Sequence, residues 1–186
     1  MGLDCAANNF YKDGKYVIKD SPQPVDVAEL LALLKKMTDE YHLLVIEDPV
    51  YEDNFQDWKS AMELLGRQCY IAGDDLISGN RKRLEMAVNK GSCNTVVIKA
   101  NHFATVTELI DVIPLLKKQN IKIVLSQRYG ETNDTILADI AVGLQADFVK
   151  FGSPNRGERV AKYNRLLEIE HTMKNEVETP VEPTES

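Results

Sequence analysis

Leu-Leu-Val-Ile-Glu, residues 43–47, is an apolar run that ends in a carboxylate. The pattern recurs along the chain, because other apolar, strand-like runs also end in a polar residue, namely Asp4, Asp74, Lys99, Gln127 and Lys150. From Glu47 onward these residues recur about every 25 positions, which is the length of one strand, one helix and two short loops. The sequence therefore predicts an α/β fold in which parallel strands alternate with helices.

The residues that end these runs are candidates for a functional site. In parallel α/β barrels the active site is built at the carboxyl ends of the strands, so side chains in this position face one common opening. Three carboxylates (Asp4, Glu47 and Asp74) stand there together with two lysines (Lys99 and Lys150). This set favours a hard metal ion accompanied by an ammonium base. Structural ion pairs between the same carboxylates and lysines are the alternative that the residues leave open.

Composition restricts the class of protein. The chain has 186 residues, of which 44% are hydrophobic, so it is long enough for one domain with a buried core. Its net charge of -7 argues against binding to duplex nucleic acid. No apolar run reaches the roughly 18 residues of a membrane span. The three widely separated cysteines, Cys5, Cys69 and Cys93, are predicted to be reduced thiols. These features predict a cytoplasmic protein without nucleic-acid or membrane partners.

Periodicity and turn residues predict the order of the elements. Asp13-Gly14, between apolar residues, predicts a tight β-hairpin, and Pro114 is expected to kink or break its helix. Predicted helices cover 25–41, 57–67, 81–89 with Asn80 as N-cap, 105–119, a segment from Thr132 or Asn133 to Leu144, and 159–173. Predicted strands cover 1–5, 43–47, 70–74, 95–99, 121–126 and 147–151. Residues 175–186, mostly Glu, Pro and Thr, are predicted to form a disordered acidic tail.

Several motifs together resemble those of a known family. They are Ile-Glu-Asp-Pro (46–49), Gly-Asp-Asp-Leu (73–76), Ile-Lys-Ala-Asn (98–101), Gly-Glu-Thr-Asn-Asp-Thr (130–135) and Glu-Arg-Val-Ala-Lys-Tyr-Asn (158–164). In order and spacing they resemble the C-terminal part of the barrel domain of enolase, phosphopyruvate hydratase, and the resemblance extends to about Met173. It implies a partial TIM-type (βα) barrel of about six parallel strands. Residues 1–174 would form the barrel domain, and 175–186 the tail.

The resemblance also implies roles for the residues that end the strands. It implies that Asp4, Glu47 and Asp74 bind Mg²⁺, which suits a site of hard oxygen ligands. Lys99 matches the general base, which removes the proton next to the substrate carboxylate. Lys150 matches a lysine that binds the substrate and stabilises the enolate.

Residues 126–131 depart from the family pattern. They read Ser-Gln-Arg-Tyr-Gly-Glu where the family has Ser-His-Arg-Ser-Gly-Glu. Arg128 matches the arginine that binds the substrate phosphate. Gln127 replaces a histidine and can carry neither charge nor a proton, and Tyr129 is expected to place a ring near the phosphate, so both changes should weaken substrate binding. A further departure, His102, is interpreted as a local hydrogen-bonding substitute rather than a new catalyst.

The implied activity is that of a Mg²⁺-dependent lyase of glycolysis. It would interconvert 2-phosphoglycerate and phosphoenolpyruvate, and the full-length protein would be a homodimer. The family's capping domain, its first two barrel strands and the glutamates that assist departure of the hydroxyl fall outside this sequence. The sequence is therefore interpreted as part of a longer, divergent protein, and we expect impaired catalysis and self-association through open sheet edges from the 186-residue chain. A non-catalytic enolase-like scaffold or assembly protein is the alternative, and another activity of the superfamily is a third hypothesis.

Overall fold

The computed structural model describes residues 1–19 and 21–178. The chain divides into two compact units, Met1–Val124 and Leu125–Ser186. The first contains strands β1 (Gly2–Asp4), β2 (Tyr11–Lys12), β3 (Lys15–Tyr16), β4 (Val45–Glu47), β5 (Tyr70–Gly73) and β6 (Thr95–Lys99). Its helices are α1 (Val27–Tyr41), α2 (Phe55–Leu65), α3 (Arg81–Asn89) and α4 (Val106–Lys118). Strand β7 (Lys122–Ser126) begins in the first unit and ends in the second, which continues with α5 (Ile136–Gly143), β8 (Phe148–Lys150) and α6 (Gly157–Glu178).

A parallel sheet with the strand order β1, β4, β5, β6 forms the centre of the first unit. Its strands are continuous apolar runs that helices cover, so side chains such as Ile46, Ile71 and Val97 are buried. The register pairs Asp4 with Glu47 across β1 and β4, so these two strands end level with each other. Residues that end neighbouring strands therefore share one edge of the sheet, where parallel α/β proteins build their sites.

The predicted hairpin is confirmed. Strands β2 and β3 are antiparallel and are joined by Asp13 and Gly14, which have φ values of 50° and 82°. Two successive positive φ values are what a two-residue hairpin turn of type I′ requires, and Asp-Gly is a pair that adopts them readily. The hairpin buries Tyr16, whose hydroxyl accepts a hydrogen bond from the backbone N–H of Tyr51 at 3.0 Å.

Local sequence signals explain where the helices of the first unit begin. Asp26 and Glu29 form a reciprocal capping box at the start of α1. Asn80 caps α3, as predicted, by accepting hydrogen bonds from two backbone N–H groups, and Thr105 caps α4 in a similar way. Helix α4 continues through Pro114 to Lys118, so Pro114 does not break the helix, which was one of the two outcomes predicted for it.

The second unit is built from the end of β7, α5, β8 and α6. The backbone N–H of Gln127, one residue past β7, donates to the carbonyl of Lys150 at 3.1 Å. Helices α5 and α6 pack against each other, and Arg165 on α6 forms a 2.7 Å ion pair with Asp139 on α5.

Several predicted boundaries in the second unit are wrong. Helix α5 begins only at Ile136, and neither Thr132 nor Asn133 is its N-cap, because Thr135 holds that position. The Thr132 hydroxyl accepts instead from the backbone N–H of Asp134 at 3.2 Å. Helix α6 continues to Glu178, four residues into the segment predicted as the tail, and the rest of that tail lies outside the described residues.

The predicted fold class is confirmed. Six strands of one parallel sheet alternate along the chain with helices, which is an α/β architecture. Cys5, Cys69 and Cys93 are free thiols, as predicted. None of the helices in the described part of the chain is long and apolar enough to cross a membrane.

Candidate metal and substrate site

Three carboxylates meet at the carboxyl edge of the sheet in the first unit. Glu47 ends β4, Asp48 follows it, and Asp74 follows β5. One carboxylate oxygen from each of these residues lies within 4.8 Å of the others. Glu47 and Asp48 are only 6% and 3% exposed. Buried carboxylates in such proximity repel one another, so a nearby cation stabilises the cluster.

Two of the three predicted metal ligands, Glu47 and Asp74, are members of this cluster. Asp4, the third, lies opposite Glu47 in the register of the neighbouring strand, and its side chain is exposed. The third member of the cluster is Asp48, for which no role was predicted from the sequence.

Asp48 connects the loops that follow β4 and β5. Its two carboxylate oxygens accept hydrogen bonds from the backbone N–H groups of Asp74, at 3.0 Å, and Asp75, at 2.9 Å. Its φ of 43° lies in the left-handed region, which Asp tolerates better than most residues. Burial raises the pKa of Asp48 to about 7, and these two N–H groups oppose the rise. Asp48 therefore holds the backbone of Asp74 and Asp75 in place.

Lys99 contributes a cation to the cluster. It ends β6, and its Nζ donates to both carboxylate oxygens of Asp74, at 2.6 Å to Oδ1. The two side chains are 16% and 14% exposed, so this ion pair is largely shielded from water. The ion pair that the sequence left open as an alternative is thus formed, and it joins a candidate base to a candidate metal ligand.

The donor set suits a hard divalent cation. Carboxylate oxygens are the ligands that Mg²⁺ prefers, and Glu47 and Asp74 supply them at adjacent strand ends. Because both Asp48 oxygens are engaged by backbone N–H groups, Asp48 fits a supporting position better than direct ligation.

The remaining predicted residues lie in the second unit. Lys150 ends β8 and is exposed, as is Arg128. The Oε1 atom of Gln127 is buried and makes no hydrogen bond within the described residues. The ring of Tyr129 is 96% exposed, so it projects into solvent and fills no part of the unit's interior.

His102 packs against a glycine. It ends a short 3₁₀ segment after β6, and a Cβ placed on Gly79 would lie 2.4 Å from the Cβ of His102. Gly79 has a φ of +63°, so both its backbone conformation and this contact require glycine. His102 therefore contributes to the packing of the loop that follows Asp74.

Taken together, the fold and the site define a class of protein: parallel α/β proteins with carboxylates and a lysine at the carboxyl ends of their strands. Residues 1–180 match the family described as enolase, C-terminal TIM barrel domain. The chain belongs to this family. The resemblance predicted from the motifs is confirmed, and the six strands are those of a partial TIM-type barrel.

Proposed function

We propose that the chain carries the metal-binding and proton-transferring part of an enolase-type lyase, which acts on 2-phosphoglycerate and phosphoenolpyruvate. The observation that supports this most strongly is the contact of Lys99 with Asp74 inside the carboxylate cluster. It joins a potential base to a hard oxygen site at the strand ends, the combination needed to remove a proton next to a carboxylate.

The metal in this proposal is Mg²⁺, and Asp4, Glu47 and Asp74 would hold it. Bound there, Mg²⁺ would supply positive charge that stabilises the negative charge developing on the substrate carboxylate. Asp48 would hold the Asp74 backbone in place through its two hydrogen bonds. Residues that orient metal ligands in this way commonly affect metal affinity when they are changed.

Lys99 would act as the base for the proton at the carbon next to the substrate carboxylate. In the reverse direction its ammonium group would return the proton to the same carbon. The carboxylate of Asp74 fixes the position of Nζ through two contacts, so the reactive nitrogen is already oriented.

Lys150, Arg128 and Gln127 would bind the substrate in the second unit. The guanidinium of Arg128 presents paired N–H donors that match phosphate oxygens. Lys150 would add a positive charge that stabilises the enolate, and Gln127 would contribute hydrogen bonds without charge. We expect phosphate affinity lower than a histidine at position 127 would give.

A non-catalytic scaffold is the second candidate function. It is supported by Gln127, which cannot exchange a proton, and by Tyr129, whose ring is 96% exposed where it could contact a partner protein. Replacing Gln127 by His and Tyr129 by Ser in the full-length protein separates the two functions. A large gain in turnover would favour the lyase, and no gain would favour the scaffold.

The proposal includes a cytoplasmic location and a homodimeric full-length protein.

Metal binding is the most direct test of the proposed function. Calorimetric titration with Mg²⁺ should give a saturable response that Glu47→Gln and Asp74→Asn abolish. The matched control is Asp13→Asn, which removes a carboxylate from the hairpin turn, where Asn tolerates the left-handed backbone. Equal Mg²⁺ binding by all four proteins would contradict the proposed metal site.

A further inference from the structure

Lys162 is a charged residue that the proposed chemistry does not use. It lies on α6, and its relative exposure is 0%. Burial of an ammonium group is strongly unfavourable unless all of its donors are satisfied. Its contacts therefore indicate what the residue does.

The Lys162 ammonium has three donors and three nearby acceptors. Nζ donates to the backbone carbonyl of Thr132 at 2.9 Å and to that of Glu158 at 3.0 Å. It also lies 3.3 Å from Oε2 of Glu131, a side chain that is 19% exposed. Two of these acceptors belong to residues 131–132, so Lys162 connects this loop to the first turns of α6.

Glu131 extends the connection to Arg128. While Oε2 meets the ammonium, Oε1 accepts a hydrogen bond from the backbone N–H of Arg128 at 3.0 Å. One carboxylate therefore joins a fully buried cation to the backbone of an exposed arginine. The cation also limits the orientations of Glu131, because a rotated carboxylate would leave the ammonium short of an acceptor.

We infer that Lys162, acting through Glu131, is a positioning residue for Arg128, and that it holds the 128–131 turn in the conformation that binds a phosphate group. The inference rests on the proposed function, which assigns Arg128 to the substrate phosphate. Lys162 does not touch the ligand in this account. Its contribution is to place a flexible side chain on a fixed backbone, so that less conformational freedom is lost on binding.

The test compares Lys162→Met with Lys174→Met in the complete chain. Both variants remove one lysine charge from α6, but Lys174 pairs with Glu170 on the surface, where both side chains are more than half exposed (69% and 57%). Two quantities are measured by NMR: hydrogen exchange of the Arg128 amide relative to the amides of α5, and the dissociation constant for inorganic phosphate. For Lys162→Met we expect Arg128 exchange to become about tenfold faster and phosphate binding about tenfold weaker, the scale of one lost hydrogen bond. Lys174→Met should change neither quantity.

Glu131→Gln provides a second variant in case Lys162→Met does not fold. Its single amide oxygen cannot serve both donors as the two carboxylate oxygens do, so Arg128 exchange should again accelerate. Unchanged Arg128 exchange in the variants that fold would overturn the inference. An equal acceleration throughout α5 would also overturn it, because Lys162 would then support the whole unit and not this turn.

The phosphate-binding measurement in the same experiment also tests the proposed function. If the unaltered chain does not bind phosphate, or if Arg128→Ala binds it equally well, the assignment of Arg128 to the phosphate fails. The exchange measurement still decides whether Lys162 positions the Arg128 backbone.

Discussion

Lys99 in the first unit and Lys162 in the second place the same ammonium group in two different environments. The Lys99 side chain is 16% exposed, and its Nζ contacts the carboxylate of Asp74. The Lys162 side chain is 1% exposed, and its Nζ meets two backbone carbonyls and Glu131. The first lysine contacts an ionisable side chain that is itself a candidate metal ligand, whereas the second is held mainly by backbone carbonyls and one carboxylate.

The difference distinguishes a candidate base from a structural lysine. Each of the three Lys162 donors has its own acceptor, so the group cannot change its partners without leaving buried polar atoms unsatisfied. Lys99 is less completely buried than Lys162, and the carboxylate that holds it is also a candidate metal ligand. A cation bound to Asp74 would compete with the ammonium, so the surroundings of Lys99 can change when the site fills.

The largest effect is expected for Lys99→Met on proton transfer. Loss of a general base lowers the rate by about 10² to 10⁴. The measurement is deuterium incorporation at the carbon next to the carboxylate of 2-phosphoglycerate, followed by NMR in heavy water with Mg²⁺. Lys35→Met is the matched control, because Lys35 also pairs with an aspartate, Asp39, but on the surface of α1. Equal exchange rates in both variants would remove Lys99 from the mechanism.

A large effect on stability is expected for Lys162→Met. Removal of one partner of a buried ion pair costs about 3 to 5 kcal/mol, because the other partner and its hydrogen bonds are left uncompensated. Urea unfolding measures this loss, and Lys174→Met, which removes an exposed lysine from the same helix, should lose much less stability. If these two variants were equally stable, Lys162 would not be a structural lysine.

An intermediate effect is expected for Asp48→Asn. The amide oxygen of Asn still accepts from one of the two backbone N–H groups, those of Asp74 and Asp75, but its NH₂ group faces the second one. This unsatisfied donor costs about 1 to 3 kcal/mol. The same change should weaken Mg²⁺ binding, since Asp74 loses part of its support. Urea unfolding and calorimetry measure the two effects, and unchanged values in both would mean that Asp48 supports neither loop.

The smallest effect is expected for the Asp139–Arg165 pair, which is more exposed than either lysine site. The hydrogen bond from Arg165 lowers the pKa of Asp139 below its ordinary value of 3.8. A depressed carboxyl pKa contributes stability that is fully present above the ordinary pKa and is lost as the pH falls through the lower value of the folded state. Asp139→Asn should therefore slightly reduce the difference in stability between pH 7 and acid pH. A change as large as that of Lys162→Met would contradict the view that exposed pairs contribute little.

The elements and part of the cluster at the strand ends could be predicted because they follow from local patterns. The proximity of Glu47, Asp74 and Lys99 was predictable because a polar residue at the end of an apolar run marks a strand end, and the parallel register then brings such residues together. The hairpin at Asp13-Gly14 was equally predictable from the sequence, since its turn type follows from those two residues.

Residues whose roles depend on tertiary contacts were missed. Asp48 acts through a left-handed backbone and through amides 26 and 27 positions away, which no local pattern reveals. Lys162 occurs in a motif that was recognised, yet a lysine on a polar helix ordinarily points to solvent, and no local pattern reveals its contacts with the 131–132 loop. The N-cap of α5 was misplaced for a related reason, because Thr132 uses its hydroxyl within its own turn and its carbonyl for Lys162.

A crystal structure grown with Mn²⁺ in place of Mg²⁺ would test the joined metal and base site most directly. The anomalous signal of Mn²⁺ locates the ion independently of the protein coordinates. We expect an anomalous peak bonded to carboxylate oxygens of Glu47 and Asp74, with Nζ of Lys99 released from at least one Asp74 oxygen. A structure without such a peak, in which Lys99 still contacts both Asp74 oxygens, would contradict the account and leave the pair as a structural ion pair.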